Sequence, residues 1–260
     1  MRVGPRPPVL LPDDGRKGEV MRINVHAGHN PDGKVACGVV GFLRESTEAR
    51  LVKDAVVGQL RQLGHTVYDC TCEDGKGQSD VLAKIVGRCN SHEVDLDVSI
   101  HFNSAANDPV GNGRTTGVET WVYSTASKAR KYAEQVCQAI SGLGFKSRGV
   151  KYNAGLYVLR KTNAPAMLVE CCFVDDKDDV QLYDCQKMAE AIVYGITGQR
   201  AQASAGPEDQ EAAAPGAETP TGGGKELLRV QVGAYSVASN AKAMADKLKA
   251  AGFDAIVVKA

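Results

Sequence analysis

The feature that most restricts the fold of this chain is a regular exchange of strand-like and helix-like segments. Apolar residues occupy alternate positions in 22–25 and 95–101, whereas they recur at every third or fourth position in 45–63 and 178–196. The first spacing is typical of half-buried strands and the second of amphipathic helices. Strands that alternate with helices build a mostly parallel sheet that is covered on both faces. The sequence therefore predicts an α/β fold, a three-layer α/β/α sandwich around a mostly parallel twisted sheet.

The same patterns assign individual elements along the chain. Residues 102–117 are rich in Asn, Gly, Asp and Thr and are predicted to form a long surface loop. Strands are predicted at 22–28, 66–70, 95–101, 118–123, 156–159 and 165–170. Helices are predicted at 45–63, 80–89, 127–141 and 178–196.

The amino-acid composition distinguishes three further segments on either side of this domain. The first residues are rich in Pro and Gly and have no periodicity, which predicts disorder. Residues 15–19 can be encoded by an almost unbroken purine run that resembles a ribosome-binding site, so Met21 is a second candidate start of the protein. Residues 201–224 contain no basic or large apolar side chain and are predicted to be a flexible linker. The predicted parts are a disordered extension, the α/β domain, the linker and a small incomplete α+β tail, at 1–21, 22–198, 199–225 and 226–260.

Charge and hydropathy exclude several classes of protein. The chain has 31 basic and 31 acidic residues, which balance. A general nucleic-acid or membrane-surface binder would show a basic excess. No apolar run approaches the roughly 20 residues that span a bilayer. Val9–Leu11 is much shorter than the signal-peptide core of about 7–15 residues. We therefore predict no nucleic-acid partner, no transmembrane segment and no secretion signal.

The eight cysteines are spread over the chain without a Cys-x-x-Cys pair. Several of them lie within apolar runs, where a thiol packs as a small hydrophobic group. We predict buried free thiols in a chain that folds under reducing conditions, in preference to a disulfide framework.

Polar side chains lie at the ends of three predicted strands. His29 follows the first strand, His101 ends the third, Glu170 ends the last, and Glu45 begins the first helix. The carboxyl ends of parallel strands meet at the edge where α/β sheets bind ligands. Two imidazoles and one carboxylate are a common ligand set for catalytic zinc, and a second carboxylate can transfer protons. The alternative is structural: strand-end histidines often only pack, and an acidic residue suits a helix N-terminus.

Four short motifs resemble the signatures of zinc-dependent N-acetylmuramoyl-L-alanine amidases, the amidase-3 family of cell-wall hydrolases. The resemblance covers about 22–197, with matching order and spacing. Residues 148–151 and 156–159 also resemble the segment before the last strand of that family, particularly in phage endolysins. The four motifs are Ala27-Gly-His29, Arg44-Glu45, Ser99-Ile-His-Phe-Asn-Ser104 and Leu168-Val-Glu170.

The resemblance implies one Zn²⁺ in the catalytic domain, with His29, Glu45 and His101 as its ligands and Glu170 as the catalytic acid and base. The implied reaction is hydrolysis of the amide between the lactyl group of N-acetylmuramic acid and L-alanine of the stem peptide. The implied partner is peptidoglycan. The family pattern places the ligand in Gly-His, so His26 is predicted to be structural or to lie beside the ligands.

Three further residues are candidates for substrate binding. Asn103 lies two residues after His101, where it can position the substrate or belong to the loop. Asn153 and Arg160 flank the predicted strand at 156–159 and can hold peptide carboxylates or form a solvated rim. Cys171 and Cys172 follow Glu170 directly; a thiol nucleophile there is a weaker hypothesis than the zinc centre, which explains more residues. 

The tail resembles the beginning of a SPOR domain, a module that binds glycan strands without stem peptides. Val230–Tyr235 and Leu248–Phe253 carry this resemblance. The module repeats strand–helix–strand twice, and only one repeat is present. One such repeat buries little apolar surface. The tail is therefore expected to be truncated or vestigial, and no glycan binding is assigned to it.

Two alternative functions remain from the sequence. A zinc peptidase could cut within the stem peptide, and an inactive amidase-like scaffold could only bind the wall, although all four chemical positions are intact. The protein is expected to act at the cell wall. Without a secretion signal, it is predicted to fold in the cytoplasm and to be released by lysis or a holin-type lesion. The SPOR-like tail instead favours a cellular enzyme of septa or sporulation, so endolysin and autolysin both stay open.

Overall fold

The computed structural model describes residues 19–201 together with 242, 244–246, 248–249 and 256–257. Residues 19–201 contain one six-stranded sheet and six helices. The strands are β1 Arg22–Ala27, β2 Thr66–Asp69, β3 Leu96–Asn103, β4 Val118–Val122, β5 Ser147–Tyr152 and β6 Ala166–Phe173. The helices are α1 Glu45–Gln62, α2 Gln78–Cys89, α3 Arg130–Ser141, α4 Tyr157–Lys161, α5 Lys177–Leu182 and α6 Cys185–Thr197.

The strand order is β2-β1-β3-β6-β4-β5, and most neighbours are parallel. β2, β1, β3 and β6 all run in one direction. β4 runs antiparallel to β6, and β5 runs parallel to β4. The predicted α/β class with a mostly parallel sheet is therefore confirmed. The reversal has a consequence for the site, because the amino end of β4 lies at the same edge of the sheet as the carboxyl ends of β1, β3 and β6.

The two faces of the sheet are covered to different extents. On one face, alternate apolar residues of the central strands form the main core with α1, α3 and α6, among them Val25, Val98 and Val169, each fully buried. On the other face, α2 and α4 pack in a smaller cluster that includes Leu168 of β6. The next residue of β6 on that face is Glu170, because side chains alternate along a strand. Apolar packing on this face thus gives way to polar side chains near the carboxyl edge.

The prediction was wrong for the segment before β6. Residues 157–161 form helix α4 where a strand was predicted, and the strand β5 at 147–152 was not predicted. A short apolar run such as 156–159 does not distinguish a strand from a buried helical turn. β5 is an edge strand without a fully buried residue, so it carries no alternating apolar signal.

The last predicted helix is two helices in the structure. α5 ends at Leu182, and α6 begins at Cys185 after Asp184, whose side chain accepts a hydrogen bond from Lys187 N at 2.9 Å. An aspartate in this position caps the free N–H groups of a helix start. The helical spacing continues across the break, which explains why one helix was predicted.

Other parts of the prediction lie mostly outside the described residues. This holds for the extension at 1–21, the linker at 199–225 and most of the tail at 226–260. Residues 242, 244–246 and 248–249, in the predicted α+β tail, are helical. The eight cysteines are free thiols and six are buried. Within the described residues, no helix is long and apolar enough to cross a membrane.

Candidate metal centre and active site

The three predicted zinc ligands lie together at the carboxyl edge of the sheet. His29 follows β1, His101 lies near the end of β3, and Glu45 is the first residue of α1. Glu45 Oε1 lies 3.0 Å from His101 Nδ1 and 3.3 Å from His29 Nε2. The two imidazole rings stand nearly perpendicular, with centroids 5.0 Å apart. One donor atom from each residue lies within 4.8 Å of the other two.

These distances fit a zinc ion. Tetrahedral bonds of about 2.0–2.1 Å place neighbouring ligand atoms about 3.3 Å apart. The two distances from Glu45 Oε1 are close to this value. The Glu45 side chain is only 4% exposed, whereas those of His101 and His29 are 15% and 25% exposed. The centre is therefore held from the protein side and open on one side, as a catalytic site requires.

Glu45 is fixed by backbone groups before any cation binds. Its Oε2 accepts a hydrogen bond from Val39 N at 2.9 Å, and its Oε1 lies 3.3 Å from Phe102 N. Burial raises the pKa of Glu45, but hydrogen bonds with His101 and His29 outweigh that effect and hold its pKa well below the ordinary value. The carboxylate is therefore charged and oriented, which is the state that a metal ligand needs.

His101 is packed against the backbone of β1. A Cβ placed on Gly28 would lie 2.0 Å from His101 Cε1, so only glycine leaves room for this ring. Burial is the largest influence on His101 and lowers its pKa, although Glu45 opposes the shift. The neutral form of histidine is the one that ligates a metal.

Arg50 of α1 holds the loop that carries His29, and the sequence analysis did not identify it. Its guanidinium is almost fully buried and donates to four backbone carbonyls, those of His29 at 3.0 Å, Cys72 at 2.8 Å, Ser46 at 3.0 Å and Asn30 at 3.4 Å. Its Nε also donates to Glu73 Oε1 at 3.1 Å. His29 has a φ of +64°, in the left-handed region that non-glycine residues rarely adopt. The bond to its carbonyl supports this strained conformation.

Glu170, the predicted catalytic acid and base, lies on the strand next to that of His101. It pairs with His101 across β3–β6 and with Glu119 across β4–β6. Its Oε2 is buried and has no hydrogen-bond partner among the described residues. Burial, followed by the charges of Glu45 and Glu119, raises the pKa of Glu170 well above its ordinary value. A carboxyl group with these properties suits proton transfer near neutral pH.

A second polar cluster adjoins Glu170 and was also not predicted. Glu119 of β4 is buried, and its Oε1 accepts hydrogen bonds from Asn103 Nδ2 at 3.0 Å and Trp121 Nε1 at 3.2 Å. Its Oε2 accepts a hydrogen bond from Arg148 Nε at 2.7 Å. The predicted substrate-binding residue Asn103 is therefore part of this cluster.

The other two predicted substrate-binding residues do not touch the centre. Asn153 Oδ1 accepts a hydrogen bond from Gly155 N at 2.8 Å, which is a local turn contact. The guanidinium of Arg160 lies 5.9 Å from the centroid of the Tyr157 ring on the same helix. Within the described residues, neither side chain hydrogen-bonds to the predicted ligands or to Glu170. Their role in substrate binding stays a prediction.

His26 does not join the ligands. It is almost fully buried, and its Nδ1 lies 3.5 Å from Ser99 Oγ. Burial, with a smaller effect of His101, lowers the pKa of His26 to about 3. It is a neutral core residue, consistent with the structural role predicted for it.

Cys171 and Cys172 are not suited to act as nucleophiles. Both are fully buried in the main core, and burial raises their pKa well above the ordinary value of a thiol. The reactive form of cysteine is the thiolate, which this environment disfavours.

The fold and the site together define an α/β domain in which three side chains, of the types that zinc prefers, are close enough to hold a metal ion. Residues 23–198 match the family model Amidase_3, N-acetylmuramoyl-L-alanine amidase, and residues 199–259 match the model of the SPOR domain. The chain belongs to the N-acetylmuramoyl-L-alanine amidase family of the Amidase_3 type.

Comparison with known proteins finds several similar chains. An uncharacterized Clostridium perfringens protein is 35% identical over 198 residues, which cover 74% of this chain and 56% of that protein. The sporulation-specific N-acetylmuramoyl-L-alanine amidase of Bacillus subtilis is 29% identical and matches 65% of this chain and 58% of its own length. The catalytic domain of the CD27L endolysin, which targets Clostridium difficile, superimposes with a TM-score of 0.61 at 26% identity and covers 69% of this chain and 98% of that domain. The chain spans about half the length of the curated relatives it matches.

Proposed function

We propose that this domain hydrolyses the amide bond between N-acetylmuramic acid and L-alanine of the peptidoglycan stem peptide, with zinc held by His29, Glu45 and His101. The observation that carries the proposal is the convergence of three donor atoms beside a buried carboxyl oxygen without a partner, that of Glu170. This pairing supplies a metal site and a proton carrier at one edge of the sheet. Membership of the amidase family supports the choice of bond.

Some of these residues hold the metal ion, and Glu170 transfers the proton. Zinc bound here supplies Lewis-acid polarisation of the scissile carbonyl. Glu45 contributes a fixed negative charge to the ligand set, and Gly28 leaves His101 the space it needs. Glu170 takes a proton from the attacking water and delivers it to the nitrogen of the departing alanine, which breaks the C–N bond. Its raised pKa allows the same group to act as base and then as acid.

Peptidoglycan is the proposed partner, and the cell wall is the proposed place of action. The family match of residues 23–198 and the SPOR match of residues 199–259 support both statements. The relatives include a sporulation-specific amidase and an endolysin of a Bacillus phage, so either biological setting is compatible with this chemistry.

The test measures how fast the whole protein lowers the turbidity of a suspension of purified cell walls, with and without a zinc chelator. We expect the chelator to abolish the loss of turbidity and added zinc to restore it. Glu170→Ala is expected to slow hydrolysis by about 10²–10⁴, the typical contribution of a general acid–base group. Glu190→Ala, at an exposed position of α6, is the matched control and should retain full activity.

Mass spectrometry of the digested walls distinguishes the amidase from a stem peptidase. The amidase releases stem peptides of full length with a new amino terminus on L-alanine. Shortened stems would show a peptidase. Walls bound but left intact by the wild-type protein would show a binding protein, and unchanged activity of both Glu170→Ala and the chelated protein would refute the mechanism.

A further inference from the structure

The cluster around Glu119 contains a buried ion pair, which packing of the core does not require. Glu119 is 4% exposed and lies on β4 directly opposite Glu170. Two acidic side chains in such a position repel each other, and opposite like charges destabilise a sheet. Glu119 is instead held by three donors, among which the guanidinium of Arg148 carries the compensating charge at 2.7 Å. The strand thus keeps an acidic residue whose main partner is one arginine.

The backbone of β5 is distorted where Arg148 lies. Val118 pairs with Ser147 and Thr120 pairs with Val150, so two residues of β5, Arg148 and Gly149, oppose the single residue Glu119. Gly149 has a φ of +76°, a conformation that favours glycine. Bulges of this kind redirect side chains and occur next to active sites. The bulge and the ion pair together fix the direction of the Arg148 side chain.

The guanidinium of Arg148 is only partly used by the protein. Its Nε donates a hydrogen bond to Glu119, and its Cζ lies 5.0 Å from the centroid of the Phe173 ring at the end of β6. Its two Nη groups make no hydrogen bond or ion pair within the described residues, and the side chain is 34% exposed. A guanidinium held in this way presents a planar pair of N–H donors that matches a carboxylate.

The position of this group relative to Glu170 suggests its ligand. Opposite residues of an antiparallel pair have Cα atoms about 4.5–5.5 Å apart, so Glu119 and the arginine bound to it lie close to the proton carrier. One extended peptide residue spans about 3.3–3.6 Å. A stem peptide whose scissile amide lies beside Glu170 and that extends over β4 would carry the residue that follows alanine towards Arg148. In stem peptides that residue is D-glutamate linked through its side chain, and its α-carboxyl group is free in some walls and amidated in others.

We propose that Arg148 binds the free α-carboxylate of the stem-peptide residue that follows L-alanine, and that Glu119 is a positioning residue for Arg148. This proposal rests on the proposed amidase function. It makes the enzyme selective for walls in which that carboxyl group is not amidated.

The experiment compares two muramoyl-peptides that carry the full stem and differ only in this carboxyl group, free or amidated. The wild-type protein is expected to hydrolyse the free acid with a kcat/KM about 10- to 100-fold higher, the size of a hydrogen bond to a charged group of about 1.5–3 kcal/mol. Arg148→Gln should reduce kcat/KM for the acid to the level of the amide, mainly through KM, and leave the amide within threefold of wild type. Glu119→Gln should lower the preference as well, because Arg148 loses its anchor.

Controls keep the result interpretable. Arg130 donates from Nε to Glu134 at 2.7 Å on the surface of α3, so Arg130→Gln removes an ion pair of the same length and should change neither rate. Bound zinc, measured by atomic absorption, should be equal in all variants. Equal wild-type rates on both substrates, or equal losses on both in Arg148→Gln, would overturn the proposal while the amidase function stands. No release of alanine-terminated stems from either substrate or from whole walls would instead refute the amidase function.

Discussion

Replacing Arg50 by lysine tests how the fold holds the predicted zinc ligand His29. The substitution keeps the positive charge but removes the planar group that bridges four backbone carbonyls and Glu73. A lysine ammonium is a single point of contact and cannot reach all of these acceptors together. At least one buried carbonyl is then left without its donor.

The expected magnitude follows from these contacts. A hydrogen bond to a charged group contributes about 1.5–3 kcal/mol. Loss of the bond to the His29 carbonyl removes support from a left-handed residue, a conformation that costs roughly 1–2 kcal/mol. We expect the loop conformation that places His29 beside Glu45 to lose about 2 kcal/mol relative to other conformations of the loop. This weakens zinc binding by up to roughly 30-fold, since about 1.4 kcal/mol corresponds to tenfold. The loss of two such bonds in Arg50→Lys should also lower the free energy of unfolding of the metal-free protein by about 3 kcal/mol.

The assay is competition for zinc between the folded protein and a chromogenic chelator, with urea unfolding of the metal-free protein beside it. Arg61→Lys is the matched control, because Arg61 lies on the same helix and donates to one carbonyl, that of Val67 at 2.8 Å, away from the ligands. We expect it to leave zinc affinity unchanged. If Arg50→Lys lowers stability but keeps zinc affinity within threefold of wild type, the loop of His29 is held by other contacts and the reasoning is wrong.

Two further substitutions follow from the structure. Gly28→Ala should displace the His101 ring and weaken zinc binding at least tenfold in the same competition assay. Gly58→Ala is the control and should bind zinc normally, because a Cβ at Gly58 meets nothing within 4 Å. Normal zinc affinity in Gly28→Ala would contradict the packing argument. Burial raises the pKa of Asp97 from 3.8 to about 6, so the native state holds more protons than the unfolded chain in this window and stability falls as pH rises through it. Asp97→Asn should therefore be more stable than wild type by about 2–3 kcal/mol at pH 8 and equal to it near pH 3.5, measured by urea unfolding. A variant that is less stable at every pH would show that the buried charge is compensated.

The central strands of the sheet could be predicted because their sequences show which side chains are buried. The residues of β1 and β3 alternate between apolar side chains that face the main core and polar side chains that face the other layer, so both strands stand out from the sequence. The edge strand β5 could not be predicted, since it buries no side chain completely and its only marked feature, Gly149, belongs to a bulge. The strand prediction for 156–159 was wrong for a different reason. The segment is apolar, and over so few residues a buried helical turn is as apolar as a buried strand.

The clustering of His29, Glu45 and His101 could be predicted because each of these residues lies at an element boundary that the sequence marks. His29 and His101 lie at the ends of strands with clear alternation, and Glu45 begins a helix with a clear apolar stripe. Arg50 could not be recognised, although it lies in the same helix. Its role depends on carbonyl groups of two distant loops, and backbone carbonyls have no signature in a sequence.

Glu119 could not be predicted as a residue near the site, because its position depends on the direction of β4. In an all-parallel sheet, the residue of this strand nearest the site would be at its carboxyl end, close to Tyr123. The antiparallel pairing of β4 with β6 brings its amino end to the site instead, and Glu119 therefore lies opposite Glu170. Strand direction is decided by long-range pairing and not by the local pattern, which reads the same in both directions. A polar residue at the start of a strand can therefore lie beside a candidate site whenever the sheet contains a reversed strand. In this protein the reversed strand β4 places Glu119 opposite Glu170, and Glu119 accepts a hydrogen bond from Arg148 of β5.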